Sequence, residues 1–222
     1  MTKTVYIMKI KTGFIICLFI LALKANSQEY TFGIKTGPNI VNLKTSGYKG
    51  VDNSFIKKSS FHIELIVNHS INEKIQIQIE PGFIEKGGKI INTYPHEYGA
   101  HKYGFITIPT VLILKPVNNL NFEIGTEFAF LIYSKIMYAN GDTYNEIKED
   151  PGFKSFEISG LTGISYNICK YFILGIRYGI ALTPVYVGKY EILYTADPPY
   201  KLYTRYFEFS ARVFIFKTHK VT

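Results

Sequence analysis

Tryptophan is absent, methionine occurs three times and cysteine twice in 222 residues. The two cysteines cannot cooperate, because Cys17 lies in an N-terminal apolar run of export-signal type and leaves Cys169 alone in the remaining chain. Disulfide stapling and metal ligation by a cysteine cluster are thereby excluded. Long apolar runs are as scarce. The one that exists, Gly13 to Leu23, falls well short of the roughly 20 residues with which a helix crosses a bilayer. There is no G-x-S-x-G nucleophile motif and no glycine loop of the kind that cradles phosphate. A Pro/Gly/Ser-rich linker and low-complexity tracts are missing as well.

The N-terminus has the three parts of a secretory signal. Lys3, Lys9 and Lys11 flank the start of the apolar run, and Ala25-Asn26-Ser27 offers the small residues that a signal peptidase reads. Residues 1–27 are expected to be a cleaved signal peptide, and residues 28–222 one domain. Cleavage lowers the formal charge from +8 to +4, since Lys3, Lys9, Lys11 and Lys24 leave with the signal and no acid does. So small an excess, spread along an exported chain, argues against nucleic acid as a partner.

What is abundant is period-two hydrophobicity, rich in the 18 tyrosines and 17 phenylalanines. It predicts strands over Tyr30–Leu43, Ser60–Ser70, Ile75–Glu85, Tyr103–Leu114, Leu120–Ser134, Lys154–Tyr166, Tyr171–Thr183 and Tyr203–Lys217. Most are longer than the mode of about 5–6 residues in soluble sheets and suit tilted membrane strands of roughly 9–11. Three connections are turn-sized: Ile71–Lys74, Lys115–Asn119 and Asn167–Lys170. Four polar segments near Lys44–Ser59, Lys86–Lys102, Lys135–Phe153 and Pro184–Leu202 are several times longer. Long loops on one side and tight turns on the other are the rhythm of a closed barrel in a membrane. The fold expected is all-β: an eight-stranded antiparallel up-and-down transmembrane β-barrel with long outer loops and short periplasmic turns.

The alternation also assigns faces. Ile75, Ile77 and Ile79 oppose Gln76, Gln78 and Glu80; Phe122, Ile124, Phe128 and Phe130 oppose Glu123, Gly125, Glu127 and Ala129. Phe207 and Phe209 likewise oppose Glu208, Ser210 and Arg212. In a narrow barrel the polar face fills the interior. Glu64, Glu80, Glu123, Glu127, Glu157 and Glu208 are therefore expected to meet Lys35, Arg177 and Arg212. Buried charges persist only when paired and hydrogen-bonded, so a structural salt-bridge network is favoured over a conduit or a catalytic carboxylate pair.

Several segments are familiar. Phe32-Gly-Ile-Lys-Thr-Gly-Pro-Asn-Ile-Val-Asn-Leu43, Ile77-Gln-Ile-Glu-Pro-Gly-Phe83 leading to Lys86-Gly-Gly88, and Ile106-Thr-Ile-Pro-Thr-Val-Leu112 resemble strands of the PorT-like outer-membrane barrel proteins of Bacteroidota. So do Phe122-Glu-Ile-Gly125 and Leu174-Gly-Ile-Arg-Tyr-Gly179. The resemblance covers nearly all of the chain after the signal, and it rests on the order and spacing of these motifs together. It implies an eight-stranded barrel in the outer membrane and a link to protein secretion, and it brings no catalytic motif. The C-terminus departs from the pattern, since Phe216 is followed by Lys217–Thr222 where such barrels end in an aromatic. Assembly recognition is expected to use Phe214 or Phe216.

No metal site and no cofactor are expected. His62 and His69 fall on opposite faces of one strand, and His96 and His101 share a long loop near Glu97 without a further ligand set. A lipid-modifying enzyme would need a reactive group beside the lipid, and His62 with Glu64 or Ser60 is the nearest candidate, on an inward face. The loops carry Tyr94, Tyr98, Tyr138, Tyr144, Tyr186, Tyr190, Tyr194 and Tyr200, suited either to recognition or to packing the loops on each other. The function expected is a non-enzymatic outer-membrane barrel: a monomer in outer-membrane lipid, a scaffold or binding component whose long loops meet envelope or secretion-apparatus proteins. The alternatives are a lipid-modifying enzyme and a secreted lipocalin-like binder with its apolar face inward.

Overall fold

The computed structural model describes residues 30–46, 55–91, 98–140, 143–147, 152–188 and 200–217. The expected signal peptide, residues 1–27, lies outside them. The strands are β1 (Tyr30–Ser46), β2 (Phe55–Ile56), β3 (Lys58–Ser70), β4 (Ile75–Ile79), β5 (Gly82–Ile91), β6 (Tyr98–Val117), β7 (Leu120–Asn140), β8 (Thr143–Ile147), β9 (Phe156–Cys169), β10 (Phe172–Ala181), β11 (Tyr186–Gly188) and β12 (Tyr200–Lys217). No helix long and apolar enough to cross a membrane occurs among the described residues.

Every neighbouring pair is antiparallel. Going round the ring, β1 pairs with β3, β3 with β4 and β5, these with β6, β6 with β7, β7 with β9, β9 with β10, β10 with β12, and β12 closes on β1. Counting β4 and β5 as one stave, the barrel has eight. Closure of these eight staves leaves none of them as a sheet edge, as a chain in hydrocarbon requires, and the short β2, β8 and β11 each pair on one side only, at the long-loop end.

The strand expected over Ile75–Glu85 is interrupted, and the reason is Pro81, which has no N–H to donate. The ladder continues through the break, with Glu80 N bonded to Pro109 O and Leu65 N to Pro81 O, both at 2.9 Å. A larger difference lies at the long-loop end. Parts of the segments read as loops continue the ladder: β5 runs to Ile91, β6 starts at Tyr98 and β7 extends to Asn140, paired there with β8. Backbone hydrogen bonds extend a hairpin above the membrane without any apolar alternation to mark it. At the opposite end the turns are tight, and Asn72 Oδ1 accepts from Lys74 N and Ile75 N at 2.9 Å, an Asx turn.

Apolar side chains cover the outer wall. Leu65, Ile124 and Ile215 are 60 %, 58 % and 68 % exposed, among many more on every stave. So continuous an apolar surface would not stay in water, and it is the reverse of a lipocalin-like barrel, whose apolar face is wrapped inside. Phe128 lies midway along the apolar band of β7 and is expected to face hydrocarbon. Phe128→Lys should lower stability by about 2–4 kcal/mol, the cost of a cation near the bilayer midplane, measured by urea titration of liposome-refolded protein. An unchanged midpoint would remove Phe128 from the lipid face.

Candidate functional site: a filled and layered lumen

Inside the wall, the inward positions form three layers. At the long-loop end the layer is apolar, a departure from the expected polar interior. Val41, Leu43, Tyr103, Phe105, Leu202 and Val185 are buried together. Val185 is held there by its N–H, which donates to Leu202 O at 2.9 Å. Phe153 adds an edge-on contact with Tyr103, ring centroids 5.2 Å apart, and another with Tyr186 at 4.9 Å. Tyr186 is the one loop tyrosine whose side chain is described, and it packs. Tyr94, His96, Glu97, Tyr190 and Tyr194 lie outside the described residues, as do the side chains of Tyr98, Tyr138, Tyr144 and Tyr200. The apolar cap seals the charges beneath it from the outer side.

The middle layer holds the charges. Lys35, Glu64, Glu80, Glu123, Glu127, Glu157, Arg177, Glu208 and Arg212 all point into the lumen, none more than 2 % exposed. Lys35 Nζ lies 2.6 Å from Glu64, 2.7 Å from Glu80 and 2.6 Å from Glu208. Arg177 grips Glu80 through both terminal nitrogens, at 2.7 and 2.9 Å, and reaches Glu123 with Nη2 at 2.7 Å. Arg212 holds the same Glu123 in a second fork at 2.6 and 2.8 Å. Ser165 and Gln78 donate further bonds, to Glu123 at 2.6 Å and to Glu80 at 2.5 Å. Planar forks of this kind are the strongest hydrogen-bonded ion pairs. They offset the heavy desolvation cost of placing so many charges out of water.

Glycine makes the network fit. Gly163 lies between Arg177 and Glu123 in the wall, and a Cβ there would approach Arg177 Cα to 3.0 Å. A Cβ at Gly175 would stand 3.2 Å from Arg212 Nη2. Side chains at either place would crowd the guanidinium groups.

Glu127 and Glu157 form a second group, and its cation, Lys86, stands in a segment expected to be a long loop. Lys86 Nζ bridges them at 2.6 and 2.7 Å, over the face of Tyr206 at 4.6 Å. Its signal was present, since Lys86 continues the parity of Gln78, Glu80, Gly82 and Ile84. Glu157 also accepts from Thr204 at 2.9 Å. Closer to the outer rim, Lys58 pairs with Glu85, which accepts from Tyr133 at 3.0 Å.

His62 is buried in the lumen, its Nδ1–H donating to Asn39 Oδ1 at 2.9 Å. It is thus turned away from lipid. Ligand atoms of His62, Glu64 and Glu208 lie within 4.8 Å of one another, a spacing that suits a metal. The cation there is already supplied, however, because Lys35 sits in contact with both carboxylates. His69 faces Tyr30 instead, ring centroids 5.1 Å apart, and His101 Nδ1 lies 2.8 Å from Tyr103 Oη. Cys169 is free and exposed at the end of β9.

The third layer, at the short-turn end, is an open cavity of about 620 Å³ lined by amides, among them Asn68, Gln76, Gln78 and Asn121. Among the described residues the lumen is therefore a pocket entered from the short-turn side and closed by the apolar cap, the short turns being periplasmic in barrels of this build.

No curated protein matches the chain. Solved structures similar to it include Neisserial surface protein A, at 13% identity over 83% of this chain and 97% of that one, TM-score 0.47. The attachment invasion locus protein Ail of Yersinia pestis is 12% identical over 83% and 98%, TM-score 0.42. The outer membrane protease OmpT of Escherichia coli is 8% identical over 85% and 96%, TM-score 0.37. The family described as "outer membrane protein beta-barrel domain" matches residues 25–187. With most of its length so matched, and its strands closed into an apolar-walled ring, this chain belongs to the outer membrane protein beta-barrel domain family and resides in the outer membrane.

Proposed function

We propose that this protein is a non-enzymatic outer-membrane barrel that serves as a scaffold or binding component of the envelope. The observation that carries this reading is the lumen filled by ion pairs and capped by apolar residues, in which the carboxylates are taken up by cations. The PorT-like motifs of β1, β4 to β7 and β10 direct the finer assignment toward a protein-secretion apparatus, met through the long loops. The protein acts as a monomer in outer-membrane lipid and uses neither cofactor nor nucleic acid.

The test has two parts. Refolded protein in planar bilayers should give no steady conductance, and its gel mobility should shift on boiling, as a stable barrel's does. Deletion of the gene should then change the set of secreted proteins, and photo-crosslinkers placed in β8 should capture an envelope protein. An unchanged secretome with no crosslinked partner would sink the secretion assignment. A lipid A profile altered by deletion, and restored by wild type but not by His62→Ala, would replace it with lipid chemistry; burial of His62 away from the lipid speaks against that.

A further inference from the structure

The cavity at the short-turn end has a donor and acceptor pattern of its own. Three of its amides spend their NH2 groups inside the protein: Asn68 donates to Gln76 at 2.9 Å, Gln78 to Glu80 at 2.5 Å, and Asn121 to Ser165 at 3.1 Å. Their carbonyl oxygens, Asn68 Oδ1, Gln78 Oε1 and Asn121 Oδ1, are buried without a protein partner. The three residues are only 7 %, 0 % and 2 % exposed, yet all line the cavity. Buried acceptors left without donors are costly, so a group that donates to them is favoured. Arg212 Nε, also lining the cavity, is the converse, a donor without an acceptor.

Charge narrows the choice. The lining contains no Asp or Glu, while Lys115, Lys170 and Arg212 are part of it. An ammonium ligand would meet Lys115, Lys170 and the ion-paired Arg212, with no carboxylate in the lining. A ligand whose groups both donate and accept, and carry no positive charge, fits all four atoms; the hydroxyl is that group. Phe214, turned inward, adds an apolar surface beside the amides. The cavity's volume, about 620 Å³, falls within the roughly 300–1,000 Å³ of small-molecule sites.

We propose that the periplasm-facing cavity binds a short neutral saccharide, held by the amide carbonyls of Asn68, Gln78 and Asn121 and by Arg212 Nε. Such a ligand is either a free sugar or the end of a glycan polymer. The site stands apart from the loop-mediated role proposed above, and either can fail without the other.

The experiment is saturation-transfer NMR on the refolded full-length barrel, with N-acetylglucosamine, its disaccharide and maltose as probes, alongside inorganic phosphate. Co-sedimentation with insoluble cell-wall glycan separates a polymer end from a free sugar. Saturable binding of a neutral saccharide is expected. It should weaken at least tenfold in Asn68→Ala or Asn121→Ala and be blocked in Thr31→Trp at the rim, with boiling-dependent mobility showing that each variant folds. If a variant does not fold, the remaining ones carry the test. Binding of phosphate alone, no saturable saccharide signal with folded wild type, or saccharide binding indifferent to the folded variants would each overturn the proposal.

Discussion

Arg177→Met should leave most of the chain unable to reach the folded barrel, or should lower its urea midpoint drastically. Arg177 is the hub of the lumen. It holds Glu80 by two bonds and Glu123 by Nη2, and its Nη1 lies 3.7 Å from Glu208. Methionine fills similar space but strands the carboxylates. Removing one partner of a buried pair costs about 3–5 kcal/mol, because the charge left behind can neither be hydrated nor paired. Here two partners lose their fork or part of it, against a net stability of only about 5–15 kcal/mol in a typical protein. Arg177→Lys should recover only part of the loss, since an ammonium cannot replace a planar fork. Combining Arg177→Met with Glu80→Gln should be milder than Arg177→Met alone, because the most tightly held carboxylate is then neutral. The readout is the fraction of the boiling-sensitive gel band after refolding across urea. A single Arg177→Met variant with wild-type stability would show that the network is not what holds the lumen together.

Lys35→Met should be comparably damaging, by about 3–5 kcal/mol, but rescuable by metal. The ammonium touches Glu64, Glu80 and Glu208 at once, so its loss leaves three carboxylates facing one another. It also opens the space between His62, Glu64 and Glu208, whose ligand atoms are already within 4.8 Å. One imidazole and two carboxylates are a sufficient protein ligand set for zinc. Added Zn²⁺ should therefore restabilise Lys35→Met, by about 2.7 kcal/mol at a concentration 100 times the dissociation constant. Wild type should not respond, because its ammonium holds that place. His62→Ala in the Lys35→Met background should abolish the rescue. Equal effects of Zn²⁺ on variant and wild type would refute the idea that Lys35 serves as the built-in cation of this cluster.

Much of this lumen is legible in the amino-acid sequence. Side chains alternate along a strand with a period of two, so Phe122, Ile124 and Phe128 on one face place Glu123 and Glu127 on the other. The inward direction of those glutamates follows once the apolar face is known to meet lipid. Lys86 was lost because the apolar half of the alternation stops near Glu85, where the strand leaves the membrane while the backbone ladder continues. The apolar cap was lost for a related reason. Leu43, Tyr103 and Leu202 stand on the inward parity near strand ends, where no lipid-facing pattern marks them, and Val185 reaches the lumen from a connection.

By itself the sequence determined the number of staves, the face each side chain takes where apolar alternation marks the strand, and the need for its buried charges to find partners. Those are local properties, set by parity along one strand and by the cost of an unpaired ion. Only the tertiary structure decided that Arg177 meets Glu80 and Glu123, that Lys35 joins three carboxylates and that Lys86 bridges Glu127 and Glu157. These partners come from strands far apart in the chain, and they meet because β12 closes on β1 in one register and glycine keeps the lumen open between them. Ring closure and stagger are properties of the whole barrel, so no single strand contains them.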